Sequence, residues 1–230
     1  MILTKLMILF ALLSSPAANH IASAHQEKPR AARPSVSTEL HSSVDADGKT
    51  LKIHAVPGGP VTGEVAASTE FGTPADLAVI GRKRGWLKVA IPDGSGYLPP
   101  DTPTHPDRYL LRADLSAHTL TVFKKGHRLH QFIIGVGAAE TPTPTGRFGI
   151  TDELANTFSP TYGCCVLALT ARQHHLAPGW TGGNIVAIHG TDAPETIGAN
   201  ESNGCLHLDE SHLRYLMDRV PVGTTVIIHK

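Results

Sequence analysis

Aromatic side chains are scarce in this chain of 230 residues: Phe, Trp and Tyr together make up 5%. A core built with so few large rings, alongside 22 Gly and 17 Pro, favours many turns and short strands over long helices. Excess charge is missing too. The 20 basic and 20 acidic side chains cancel, which withholds the basic face that nucleic acid demands, so no nucleic-acid partner is expected. No run approaches the roughly 20 apolar residues that span a bilayer, so no stable membrane span is expected after removal of a leader. Metal-ligand spacing is absent as well: there is no Cys-x-x-Cys and no His-Glu-x-x-His. The 14 His residues do not compensate, since neighbours such as His174 and His175 point apart on a strand. The expectation is no metal and no cofactor.

Cysteine is nearly absent, with Cys164, Cys165 and Cys205 alone. That excludes a disulfide scaffold, and an odd count leaves a free thiol or an intermolecular bridge. Adjacent Cα atoms lie about 3.8 Å apart, below the usual disulfide span, so a Cys164–Cys165 bridge is expected to be strained. Both are read as packed thiols. The sharper alternative is that one of them lies close enough to Cys205 to trap it under oxidation.

What is present divides the chain. Lys5, the apolar run Leu6–Leu13 and Ala22-Ser23-Ala24 read as a cleaved secretory signal over residues 1–24, too short to anchor the chain. The mature protein is expected outside the cytoplasm, in the periplasm, cell wall or medium. Residues 25–47 are rich in Pro, Ser, Ala and charge and read as a flexible linker. Short apolar runs at Thr50–Val56, Ala75–Gly81 and Trp86–Ile91, separated by Pro57-Gly58-Gly59-Pro60 and Pro92-Asp93-Gly94-Ser95-Gly96, suggest a small β-barrel over 48–100. Four prolines in Pro99–Pro106 make a stiff connector, 101–107. A second domain, 108–230, opens as a β-meander. In it Asn184–Ile188 reads as a central strand buried on both faces, and Asp209 caps a short helix over His212–Asp218.

Two spots carry chemistry. His189 ends the buried strand in Ile188-His189-Gly190-Thr191, and Cys205 follows Ser202-Asn203-Gly204. Thiol acyl transfer needs a base beside the sulfur. A histidine leaving a rigid strand can be aimed, and the Gly190 backbone can bond its far ring nitrogen and set the tautomer. Gly204 permits a turn that would point consecutive N–H groups at one spot, an oxyanion hole.

In this order His189 and Ser202-Asn203-Gly204-Cys205 resemble the signature of the L,D-transpeptidases, the YkuD-type catalytic domain. Pro142-Thr143-Pro144-Thr145-Gly146-Arg147-Phe148, Tyr162-Gly163 and Pro221-Val222-Gly223-Thr224-Thr225-Val226 match in order. Leu51–Pro60, Gly85-Trp86-Leu87-Lys88-Val89 and Gly94-Ser95-Gly96-Tyr97-Leu98 resemble a bacterial SH3-type domain, which implies a module binding glycan or peptide. The resemblance implies a mainly β protein: a small N-terminal SH3-like β-barrel, then an L,D-transpeptidase-type β-sandwich with short helices. It implies peptidoglycan stem peptides as partners and Cys205 as acylated nucleophile. His189 would be its base and Gly190 the group that orients it. The Gly204 and Cys205 N–H groups would hold the oxyanion, with Ser202, Asn203, His207 and Tyr162 against substrate. The acyl group would pass from the bond after the third stem residue to an amine. With water as acceptor the same site would be an L,D-carboxypeptidase. Two departures stand out: Asn203 replaces the family His, and His207 stands where Arg or Asn is common. These motivate a third reading, a catalytically weak cell-wall-binding protein.

Overall fold

Residues 41–155 and 159–230 are described by the structure, a computed structural model. The expected signal peptide, and the expected linker as far as residue 40, lie outside the described residues. Within them, turn-rich sequence and β-branched runs produce strands almost throughout. No helix among the described residues is long and apolar enough to cross a membrane.

The first sheet comprises Ser42–Asp45 (β1), Leu51–His54 (β2), Val61–Val65 (β3), Asp76–Lys83 (β4), Trp86–Ile91 (β5), Gly94–Leu98 (β6) and His105–Pro106 (β7). Its order is β3-β2-β6-β5-β4-β1-β7, and β3 and β7 end it without pairing to each other. Two segments depart from the linker reading. Ser42–Asp45 pairs antiparallel with β4 and with β7, burying Ser42, Ser43 and Val44, and His105–Pro106 lies inside the expected connector. Composition made both look unstructured. Sheet pairing overrides composition here, because β4 presents a whole edge of backbone donors and acceptors to be satisfied. Ile53, Leu77, Val79, Leu87, Val89 and Leu98 fill this sheet's core.

The second sheet contains Tyr109–Asp114 (β8), Thr119–Lys124 (β9), His127–Ile133 (β10), Gly146–Ala155 (β12), Cys165–Arg172 (β13), Ile185–His189 (β14), Leu206–His207 (β16) and Thr225–His229 (β17). Val136–Gly137 (β11) and Asn200–Ser202 (β15) form a separate parallel pair. The main order is β10-β9-β8-β17-β12-β13-β14-β16. The meander β8-β9-β10 is as the sequence suggests. The ten-residue β12 pairs with β17 through its first residues and with β13 through its last, so the sheet changes partner along one strand. Strand β14 is buried at Val186, Ala187, Ile188 and His189 in succession. It is penultimate rather than central, however, and only the two-residue β16 lies outside it. The helix Glu210–Met217 (α1) starts two residues earlier than expected. Asp209 caps it by accepting from the Ser211 N–H at 2.8 Å, a contribution of about 1 kcal/mol. Leu213 and Leu216 face inward.

All described residues belong to one compact unit, and polar contacts tie the sheets together. Arg147 Nη1 donates to Ile80 O at 3.2 Å, the Thr69 hydroxyl to Asp152 Oδ1 at 2.5 Å, and the Asp93 N–H to Thr170 O at 3.0 Å. Asp107 sits at the join. Its Oδ1 accepts from the Tyr109 N–H at 2.8 Å and from the Thr224 hydroxyl at 3.4 Å. Oδ2 is buried without a partner, as is Asp76 Oδ1. Burial, opposed by hydrogen bonds from Tyr109, Thr225 and Thr224 and reinforced by the charge of Asp76, raises the Asp107 pKa from 3.8 to about 6. The folded chain therefore holds this proton more tightly than the unfolded chain. The stability it contributes is full below about pH 4 and is lost as pH rises through about 6.

Asp107→Asn keeps an acceptor oxygen but removes the titration. The variant should gain melting temperature relative to wild type as pH is raised from about 4.5 to about 7.5, read by thermal denaturation at each pH. A constant difference across that range would place the raised pKa elsewhere.

Candidate active site

The edge formed by β14 and β16 borders a cavity of about 310 Å³. The two strands run parallel, with Ile188 opposite Leu206 and His189 opposite His207. That register sets the strand-end histidine beside the residues just after the thiol. Tyr162, His189, Ser202, Asn203, Cys205 and His207 all line the cavity, and Gly190 and Gly204 adjoin them in the chain. All eight residues singled out in the sequence thus come to one place.

His189 is 3% exposed, and its ring is held on three sides. Nδ1 donates to Gly190 O at 2.5 Å, so the neutral ring keeps its lone pair on Nε2. The Tyr162 ring lies 4.9 Å away at 63°, and the His207 ring 4.9 Å away at 55°. Any residue would supply the carbonyl at 190, and it is proximity that requires glycine there. A Cβ there would come within 2.9 Å of Gly163 Cα and 3.2 Å of Tyr162 O, a contact the packed backbone has no room to relieve.

The thiol is presented by a turn that ties itself off. Ser202 Oγ donates to Cys205 O at 2.6 Å and accepts the Gly204 N–H at 3.1 Å. This corrects one expectation: the Gly204 N–H is engaged inside the turn rather than aimed at an oxyanion, which leaves the Cys205 N–H as the candidate donor from this pair. Gly204 has φ +108°, and a Cβ there would lie 2.1 Å from Gln173 Nε2, so a side chain would be strained and would displace the Gln173 amide. The Cys205 sulfur packs along β14, its thiol 3.9 Å from Ile185 O, with the Ala187 N–H favouring its thiolate form. Asn203 is exposed while lining the cavity, so the first departure from the family pattern stands at the cavity's solvent-accessible side.

Electrostatics favour a neutral resting pair over a preformed thiolate–imidazolium. Burial pushes the Cys205 thiol up to about 11, opposed by the Ala187 N–H. Burial first, then His207, pushes His189 down to about 4, against the Gly190 hydrogen bond. Burial and the neighbouring Cys205 raise the Tyr162 phenol. An apolar wall thus penalises every charged form. Such a site suits a base that takes the thiol proton as the sulfur attacks.

The supports of this geometry carry no sequence signal. Gln173, 4% exposed, donates from Nε2 to Pro142 O at 3.1 Å and to Asn203 O at 3.3 Å, and accepts the His175 N–H at 2.9 Å. The Thr141 hydroxyl and the Ala138 N–H both bond Ser202 O, at 2.8 and 2.9 Å. Thr196 bonds His207. Each is a lone polar residue with no motif spacing. Phe71, Leu176 and Trp180 also line the cavity, and all three are partly exposed. An exposed Trp in a Gly-rich loop was the one hint available. Among the described residues, no group of three or more His, Cys, Asp or Glu gathers as a metal site.

The other two cysteines overturn their expectation. Cys164 and Cys165 are bonded to each other, with Cα atoms 3.8 Å apart, and Cys205 is free. The Cα spacing that disfavours an ordinary bridge does not forbid a ring closed across the single peptide bond between neighbours. Both sulfurs belong to the core cluster, and neither is available to trap Cys205. Thiol titration of the denatured, unreduced protein should therefore find one thiol per chain, and three after reduction. Three before reduction would remove the bridge.

Comparison with known proteins bears on residues 108–228, which match the model of the L,D-transpeptidase catalytic domain, YkuD. YkuD of Bacillus subtilis (strain 168) is 33% identical over 131 residues, 57% of this chain and 71% of YkuD. YkuD of Bacillus licheniformis is 31% identical over 120 residues, 52% of this chain and 65% of that protein. The chain thus spans about two thirds of the length of these relatives. A solved L,D-transpeptidase from Mycobacterium smegmatis aligns with a TM-score of 0.42 at 22% identity, over 63% of this chain and 67% of that one. With the family match covering more than half of its residues, this chain belongs to the YkuD family of L,D-transpeptidase catalytic domains.

Proposed function

We propose that this chain is a peptidoglycan L,D-transpeptidase acting outside the cytoplasm, with Cys205 as nucleophile and His189 as its base. One observation carries the reading: Cys205, just before β16, and an imidazole at the end of the adjacent parallel strand β14, whose open nitrogen is Nε2, line one apolar cavity. The stem-peptide carbonyl after the third residue enters this cavity. The sulfur attacks as its proton passes to His189 Nε2, so neither charge has to exist before the other. The Cys205 N–H stabilises the developing oxyanion. His189 then protonates the departing D-amino acid at its amine, and the acyl group remains on sulfur. An amine acceptor takes it from there. Residues 48–100 act in this reading as an SH3-type module that positions the wall polymer, and Phe71 carries that half of the chain to the cavity.

Incubation with a disaccharide-tetrapeptide, followed by intact-protein mass spectrometry, tests the reading. Wild type should gain the mass of an acyl adduct, and Cys205→Ala should gain none while melting as wild type does. His189→Gln should slow adduct formation by about 10²–10⁴, the share of a positioned base. A loss under about tenfold would point to another base.

The neutral pair also sets a pH profile. Acylation needs His189 unprotonated, so its rate should stay level through neutral pH and fall as pH drops toward about 4. Alkylation by iodoacetamide needs the thiolate, and should be slow at neutral pH and climb toward about 11. Rapid alkylation at neutral pH would instead indicate a preformed ion pair.

A further inference from the structure

His207 has no work in the acylation step, yet it is held as carefully as His189. Its backbone exchanges hydrogen bonds with Gly135 at 3.0 and 2.9 Å. Its Nδ1 lies 2.8 Å from Thr196 Oγ1, and the single proton of that hydroxyl goes to Ala193 O at 2.7 Å. With the hydroxyl proton on that carbonyl, Thr196 accepts from His207, which places the ring proton on Nδ1 and leaves the lone pair on Nε2. His189 is set in the same tautomer by Gly190. Two imidazoles, each with Nε2 open, thus stand 4.9 Å apart on the wall of the cavity that Cys205 also lines. His207 is half-buried, while His189 is closed from solvent.

Proton counting shows what a second acceptor would do. An amine reaches the site at neutral pH as R–NH3+. To become an amide nitrogen it must give up two protons. One returns the sulfur to a thiol, and the other has to leave the site. Water as acceptor makes a smaller demand, since one proton goes to sulfur and the other stays on the new acid until it is released.

The geometry points to His207 as a second proton acceptor, one that acts on the acceptor amine. The inference rests on the reading of Cys205 as an acylated thiol. Nε2 of His207 takes the proton that converts R–NH3+ to the nucleophile R–NH2. The amine nitrogen then bonds the acyl carbon, the carbon–sulfur bond breaks, and His189 carries the second amine proton to the Cys205 sulfur. The products are the amide, the free thiol and one proton, which leaves through the half-buried ring of His207. The titratable groups acting on this ring are His189 on β14 and Asp192 in the loop that follows, and Cys205 lines the same cavity. Burial lowers the His207 pKa and the charge of Asp192 opposes that, so the ring is unprotonated and ready at neutral pH. The same apolar wall lowers the pKa of an ammonium inside it.

The test is the partition of the acyl-enzyme between amine and water, a ratio independent of how fast the acyl-enzyme forms. Wild type, His207→Gln and Thr196→Val are acylated with the disaccharide-tetrapeptide and offered glycine or hydroxylamine near pH 7. Glycine is then an ammonium, whereas hydroxylamine is already uncharged. His207→Gln should lower the glycine-to-water ratio by about 10²-fold, the lower end for a positioned base. It should leave the hydroxylamine-to-water ratio near wild type, and raising the pH until glycine is uncharged in bulk should restore the glycine ratio. Thr196→Val, which loosens the tautomer while keeping the imidazole, should fall between the two and serves if His207→Gln fails to fold. Equal losses with glycine and hydroxylamine, or a glycine loss that high pH does not restore, would reduce His207 to a structural part and overturn the inference. Wild type that is acylated but yields only hydrolysis would overturn it while leaving the thiol's role standing. Absence of any acyl-enzyme would overturn the underlying reading as well.

Discussion

Everything at the candidate site depends on the parallel pairing of β14 with the two-residue β16. That register is what sets His189 opposite His207 and brings the thiol that precedes β16 to the wall of the same cavity. Two residues of strand are a weak ladder by themselves. The turn before them is therefore stiffened by side chains: the Ser202 hydroxyl closes it, Gln173 holds the Asn203 carbonyl, and Thr141 holds the Ser202 carbonyl. Most of these groups are buried and polar, so each would cost free energy if left unpaired. The network is accordingly near all-or-none, and the geometry of the sulfur inherits that rigidity.

Burial then decides the chemistry. Burial in an apolar cavity penalises thiolate and imidazolium alike, which separates the two pKa values instead of drawing them together. In the proposed mechanism such a pair rests uncharged and moves its proton during attack. The cost is a less reactive resting thiol. The Cys164–Cys165 bond removes the two other thiols that could exchange with Cys205.

The first sheet is more than an appendage. It reaches the second through Arg147, Thr69 and Asp93, and Gly149 lets β12 approach Ala78 so closely that a Cβ would sit 2.8 Å from it. Strand β12 is also the one on which the second sheet changes partner. The same strand therefore shapes the sheet that carries the site and receives the neighbouring sheet, which couples the placement of Phe71 at the cavity to the frame of the active residues.

Much of the site was legible in the chain alone, because chemistry that needs a thiol, an aimed imidazole and an open turn leaves short motifs. His189-Gly190 and Ser202-x-Gly204-Cys205 are such motifs, and their His189, Ser202, Asn203 and Cys205 line one cavity. The meander, the capped helix and the buried run at 185–189 were equally readable, since periodicity and capping are local. What the sequence could not determine was set by distant partners. Residues 42–45 look like linker until β4 offers them an edge. The Gly204 N–H looks like an oxyanion donor until Ser202 claims it. Gln173, Thr141 and Thr196 leave no mark, because a lone buried hydrogen bond has no period or spacing. The resting charge of the pair was likewise invisible: a pKa depends on how much water the fold removes, and only tertiary structure decides that.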